Sequence, residues 1–212
     1  MSLIPEPLQK YSEEHTTEES ALLSQINRET HLHVLRPRML SGHLQGRYLS
    51  MLSKMIQPKN ILEIGTYTGY SALCLAEGLQ KDGKLITLEK NEELKGKIAE
   101  YLDQSEYKDQ IEVRIGEAAS ILPTLNYTWD MIFIDADKEN YPVYYDMTID
   151  NLRSGGLLLA DNVLWSGKVY DATQQDKVTN TIRSFNEMVQ NDPRVENILL
   201  PIRDGIMMAR KK

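Results

Sequence analysis

The chain has 212 residues, a formal net charge of −7 and 41% hydrophobic residues, which favours one α/β domain with apolar side chains enough for a core. The acidic balance argues against general nucleic-acid binding, because counterion release needs clustered Lys and Arg. Cys74 is the single cysteine, no apolar run approaches the roughly 20 residues that cross a bilayer, and the opening MSLIPEPLQKYSEEHTTEES lacks a basic segment followed by an apolar stretch; an intrachain disulfide is excluded, and a cytoplasmic location with no membrane partner is expected.

The first 57 residues read as helical. Leu22, Leu23 and Ile26 form one apolar stripe, Leu44, Tyr48, Leu52, Met55 and Ile56 a longer one, and Pro58 ends the second helix. Between Arg28 and Arg47 stand Arg28, His31, His33, Arg36, Arg38, His43 and Arg47 against the single acid Glu29. That stretch is either a solvated face with helix-end charges or a patch for an anionic substrate.

Short runs rich in Ile, Leu and Val follow at Asn60–Ile64, Lys84–Leu88, Ile111–Ile115, Met131–Ile134 and Leu157–Ala160, separated by amphipathic stretches such as Leu94, Ile98, Tyr101 and Leu102. The alternation predicts an α/β, doubly wound Rossmann-like sheet, mostly parallel and covered by helices on both faces. Val178, Ile182, Phe185, Met188 and Val189 predict a last helix before Pro193. The segments ILLPI and IMMAR, joined through RDG, predict a hairpin with a tight Asp-Gly turn that lays an antiparallel strand at or near one edge. Without repeat or linker, 1–212 reads as a single domain, with 1–57 a helical segment over the site and 58–212 the core.

The first strand ends in ILEIGTYTGYSALCLAEGL, where Gly65 and Gly69 bracket the turn into a helix around Ala72–Leu79. Glycine lets the backbone bend sharply and approach a ligand closely. The spacing lacks the third glycine of a dinucleotide site, and Glu63 would repel a pyrophosphate but suits the cationic amine of an amino-acid ligand. That favours S-adenosylmethionine over NAD. Glu89, at the tip of the second strand, is placed to accept from both ribose hydroxyls. Glu117 and Ala118, in GEAAS after the third strand, would lie beside the adenine.

The fourth strand reads WDMIFIDADKENY and the fifth GGLLLADNVLWSG. Ligands of open parallel sheets bind outside the carboxyl ends of the strands, so Asp135, Asp161 and Asn162 should converge beside the cofactor. Two carboxylates and an amide oxygen are hard ligands for Mg²⁺, Mn²⁺ or Ca²⁺; without a cation the acids would repel and one would hold a proton. Each acid taken alone also fits a helix cap or a turn. Lys138, one turn after Asp135, is a candidate to accept a hydroxyl proton, or else a surface lysine. The histidines all precede the sheet, and no serine stands between the glycines of the turn, which argues against a Ser-His-Asp hydrolase.

EIGTYTGYSAL, GEA, DADKENY, ADNVLWSGKV and DPRVENILLPIRDGI resemble the cation-dependent O-methyltransferases, the group of caffeoyl-coenzyme A and catechol O-methyltransferases and their bacterial relatives, from roughly Met39 to the C-terminus. The resemblance implies a seven-stranded sheet with a reversed strand and a homodimer. It implies Asp135, Asp161 and Asn162 as metal ligands and Lys138, with Asp135 beside it, as the catalytic pair. It implies cofactor contacts from Met39 and Ser41 in a closing N-terminal segment, and from Glu63, Gly65, Tyr67, Ser71, Glu89, Ala118, Asp135 and Tyr144. The chain departs from the plant members in its N-terminal region, where substrate choice resides. The acceptors implied are a small catechol-like or hydroxycinnamoyl-type molecule, or a hydroxyuridine in tRNA as in some bacterial relatives; the rivals outside the class are a NAD-dependent oxidoreductase and a catalytically silent cofactor-binding module.

Overall fold

The computed structural model describes residues 4–212, so the first three residues of the expected 1–57 helical segment lie outside the described residues. Strands β1 (Asn60–Ile64), β2 (Lys84–Glu89), β3 (Ile111–Ile115), β4 (Trp129–Ile134), β5 (Leu152–Asp161), β6 (Val195–Leu200) and β7 (Ile206–Lys211) form one sheet in the order β3-β2-β1-β4-β5-β7-β6. The pairs β1–β2, β2–β3, β1–β4 and β4–β5 are parallel, while β7 is antiparallel to both β5 and β6. The order reverses between β1 and β4, and the carboxyl ends of these two strands open on the same crevice.

Successive side chains of a strand point to opposite faces, and here both faces are covered. Ile61, Met131, Phe133 and Leu159 pack with α2 (Ala21–His33), α3 (Gly42–Ile56), α4 (Tyr70–Ala76) and α5 (Lys95–Leu102). Leu62, Ile64, Ile132, Ile134 and Leu158 pack with α6 (Ala118–Ile121), α7 (Tyr141–Ile149) and α8 (Lys177–Asn191). Double coverage explains why the central strands are apolar runs rather than alternating ones.

The N-terminal region departs from the expectation in detail. It is broken into α1 (Glu6–Glu14), α2, a 3-10 turn at Pro37–Met39 and α3. On α3 the fully buried face is Gln45, Gly46, Leu49, Ser50 and Ser53, whereas the predicted stripe of Leu44, Tyr48, Leu52 and Ile56 is half-buried and Met55 is exposed. The reason is close packing: a Cβ at Gly46 would stand 2.7 Å from the Tyr70 ring, so only a glycine lets α3 lie this near α4. The C-terminal hairpin also differs. The predicted tight Asp-Gly turn is a five-residue link, 201–205, because β6 ends at Leu200 before Pro201, which has no N–H for the ladder. Within it Gly205 N donates to the Ile202 carbonyl at 2.8 Å, and Arg203 has a left-handed backbone with φ 51°.

Candidate active site

Gly65 directly follows β1 with φ +105°, and a Cβ there would collide with the carbonyl of Asp135, whose N–H bonds Ile64 O at 2.9 Å. Glycine thus brings the tip of β1 against the tip of β4. Gly69, φ +85°, then starts α4, and Ser71 is buried in its first turn.

Strand register sets Thr87 beside Glu63. Glu63 is fully buried; its Oε2 accepts from the Thr87 hydroxyl at 2.5 Å, which in turn meets Thr66 Oγ1 at 2.6 Å. Oε1 has no hydrogen-bond partner among the described residues. Burial pushes the carboxyl up to about 8; the hydroxyls of Ser71 and Thr87 oppose the shift, while the charges of Asp135 and Glu89 add to it. An ammonium group placed at Oε1 would satisfy the oxygen and hold the carboxylate ionised. Glu89 accepts from the backbone N–H of Tyr67 at 2.7 Å and of Asn91 at 2.8 Å, which fixes both oxygens at the β2 tip. Tyr67 (φ 52°) also donates its hydroxyl to the carbonyls of Leu35 at 3.1 Å and Arg36 at 3.3 Å, tying the N-terminal segment to the glycine turn.

Further along the crevice, Ala118 is buried at the start of α6, and exposed Glu117 precedes it. Tyr144 donates to Asp137 Oδ1 at 2.7 Å and has Glu117 within electrostatic reach. Asp137, which also accepts from the Asn140 amide, is thereby turned toward α7 rather than toward the partners of Asp135.

Asp135 is gripped by Lys138, whose Nζ donates to Oδ1 at 2.9 Å, bonds the Tyr141 hydroxyl at 2.5 Å and lies 4.7 Å from the Tyr141 ring centre. Tyr141 is fully buried and its hydroxyl donates to the Asp161 carbonyl at 3.0 Å, linking the two strand tips. Asp161 is 2% exposed. Burial and the charge of Asp135 push its carboxyl above the usual carboxylate range, against the pull of Lys138, Arg203 and the Gln45 amide. Oδ2 accepts from Gln45 Nε2 at 2.9 Å and Oδ1 from the Asn162 N–H at 2.8 Å. Asn162 takes a left-handed backbone, φ 60°.

Thus Glu63, Ser71 and Glu89 gather around the glycine turn, Asp135, Lys138, Asp161 and Asn162 at the tips of β4 and β5, and Glu117, Ala118 and Tyr144 beside them. Ser41 is buried and its carbonyl accepts from Arg203; Met39 is 52% exposed, so its side chain stands outside the buried cluster. Of the basic stretch, Arg47 is withdrawn into a bidentate pair with Glu77 at 3.0 and 2.6 Å, whereas Arg28, His31, His33, Arg36 and Arg38 are exposed. Gln45, Tyr141 and Arg203 were not singled out in the sequence: Gln45 and Tyr141 fall in helical segments, and Arg203 reads as a solvated turn residue.

Comparison with known proteins decides the family. The model of the family described as O-methyltransferase matches residues 13–212, reaching well before Met39. The chain belongs to the O-methyltransferase family. It is an S-adenosylmethionine-dependent O-methyltransferase, and the oxidoreductase alternative is set aside. This O-methyltransferase is 37% identical to Caffeoyl-CoA O-methyltransferase 5 of Nicotiana tabacum over 179 residues, 79% of this chain and 75% of that protein. It is equally 37% identical to a Catechol O-methyltransferase of Niastella koreensis over 174 residues, 78% of this chain and 79% of the relative. The crystal structure of an O-methyltransferase from Bacillus cereus in complex with SAH superposes with a TM-score of 0.89 at 32% identity, covering 97% of each chain.

Proposed function

We propose that this O-methyltransferase acts on a hydroxyl of a small catechol-like or hydroxycinnamoyl-type acceptor and depends on a divalent cation, Mg²⁺, Mn²⁺ or Ca²⁺. The observation that carries the reading is the meeting of a buried carboxylate, Asp161, with Asp135 at adjoining strand tips, close enough that Asp135 raises the pKa of Asp161. A cation relieves that repulsion, and two carboxylates with the Asn162 amide oxygen supply hard donors while leaving positions open. When bound, it supplies a Lewis acid that lowers the pKa of an acceptor hydroxyl. The unpartnered Oε1 of Glu63 fits the ammonium of S-adenosylmethionine, and Glu89 is set to accept from the ribose hydroxyls. Lys138 takes the acceptor proton at Nζ once the ammonium held against Asp135 has passed a proton to solvent, and the tyrosine hydroxyl beside it keeps that nitrogen in place.

Exposed Arg36 and Arg38, just before Met39, favour a second reading in which the acceptor is a hydroxyuridine in tRNA, although the same cations would equally meet the phosphates of a coenzyme A thioester under the first reading. Acceptor binding that ignores salt counts against both. Exposed Met51 (63%) and Met55 (75%) on α3 support the homodimer. No helix among the described residues is long and apolar enough to cross a membrane. Cys74 is buried as a free thiol, which fits the cytoplasmic setting of this reading. The test is methylation of catechols, hydroxycinnamoyl thioesters and undermodified tRNA with and without Mg²⁺ or Mn²⁺. Transfer to a catechol that needs the metal supports the proposal, and transfer to tRNA alone overturns the small-molecule reading.

A further inference from the structure

Gln45 lies on α3, away from the strand tips in sequence, yet it is fully buried and its amide is engaged at both ends. Nε2 donates to Asp161 Oδ2 at 2.9 Å, and Oε1 accepts from Arg203 Nη1, also at 2.9 Å. The chemistry of the partners fixes the amide's orientation. A guanidinium only donates, so Oε1 must face Arg203; an ionised carboxylate only accepts, so Nε2 must face Asp161.

Arg203 is itself held from two sides. Its Nη1 donates to the Ser41 carbonyl, and the turn that carries it is stitched to the segment following Asp161. Gly205 O accepts from Val163 N at 3.1 Å, Asp204 O from Leu164 N at 2.9 Å, and the Asp204 carboxylate from Ser166 N. The chain of contacts therefore runs from the C-terminal hairpin through α3 to one oxygen of Asp161, while the Asn162 N–H holds the other.

Both donors on Asp161 are uncharged. They fix the orientation of the carboxylate without cancelling the charge that attracts a cation, and each oxygen keeps a lone pair free. Asp135 is held differently, by the ammonium of Lys138. We propose that Gln45, oriented by Arg203, is a positioning residue that presents the Asp161 carboxylate to the divalent cation. This rests on the cation reading of the site.

The experiment is a Mn²⁺ titration of the full-length protein, followed by the electron paramagnetic resonance of free Mn²⁺, alongside calorimetric titration of S-adenosylhomocysteine. Outer partners of metal ligands are worth about 10–100-fold in metal affinity. Gln45→Met, which keeps the volume and loses both hydrogen bonds, is expected to weaken Mn²⁺ binding at least about tenfold while S-adenosylhomocysteine affinity stays within about twofold. Arg203→Gln, at a half-exposed position, is expected to weaken Mn²⁺ in the same direction by a smaller factor. A role in folding alone would move the melting temperature and leave the metal affinity of the folded protein alone. Unchanged Mn²⁺ affinity in folded Gln45→Met overturns the proposal; if that variant does not fold, unchanged affinity in Arg203→Gln does so. Wild-type protein that binds Mn²⁺ no better than Asp161→Ala overturns the cation reading itself, and this inference with it.

Discussion

Glu63 and Thr87 face each other across β1 and β2, and the Thr87 hydroxyl satisfies one oxygen of a buried carboxyl whose other oxygen has no partner among the described residues. The carboxyl is raised from 4.5 to about 8 in the folded protein, so the neutral form is favoured. Its stabilising contribution is full below about pH 4.5 and is lost as the pH rises through about 8. A bound ammonium favours the ionised form instead. S-Adenosylhomocysteine binding at pH 7 should therefore release a proton, and affinity should climb toward pH 8. Calorimetry in buffers of different ionisation enthalpy measures this; no proton release at pH 7, or the same release from Glu63→Gln, contradicts the assignment.

Lys138 reaches Asp135 Oδ1 and the Tyr141 hydroxyl from one position. If its Nζ takes the acceptor proton, Lys138→Met should lower kcat by about 10²–10⁴-fold with cofactor affinity retained. Lys138→Arg should not restore the rate, because a guanidinium does not give up its proton. Steady-state kinetics with a catechol acceptor decides; near-normal kcat in Lys138→Met removes the lysine from the chemistry.

Gly65 has a conformation that side chains rarely adopt, and its Cα faces the Asp135 carbonyl. Gly65→Ala should destabilise the protein by more than about 1 kcal/mol and weaken cofactor binding, since the β1 and β4 tips must part. Urea unfolding checks the first effect; unchanged stability would mean that the turn relaxes freely.

The parts of the site carried on strand tips were legible in the sequence because an apolar run that ends in an acid marks both the strand and its open end. Glu89, Asp135 and Asp161 follow that pattern, and Glu63 stands one residue before the end of β1. The face of α3 was not legible. Its polar and small residues, Gln45, Gly46, Ser50 and Ser53, are buried while Met51 and Met55 are exposed, so a hydrophobic stripe points away from the tightest contact. Gly46 is the signal that was available, since close helix packing needs a small residue. Arg203 gave none: in the sequence it is a charged residue of the link between β6 and β7, and its meeting with Gln45 joins segments far apart in the chain.

The central claim is that methyl transfer runs through a cation held by Asp135, Asp161 and Asn162. Its most direct measurement is transfer of labelled methyl from S-adenosylmethionine to a catechol by protein stripped with chelator, then resupplied with Mg²⁺ or Mn²⁺, for wild type and Asp161→Ala. The account predicts no turnover in chelator, recovery with metal in wild type, and none in Asp161→Ala although that variant still binds S-adenosylhomocysteine. Full turnover in excess chelator would contradict it.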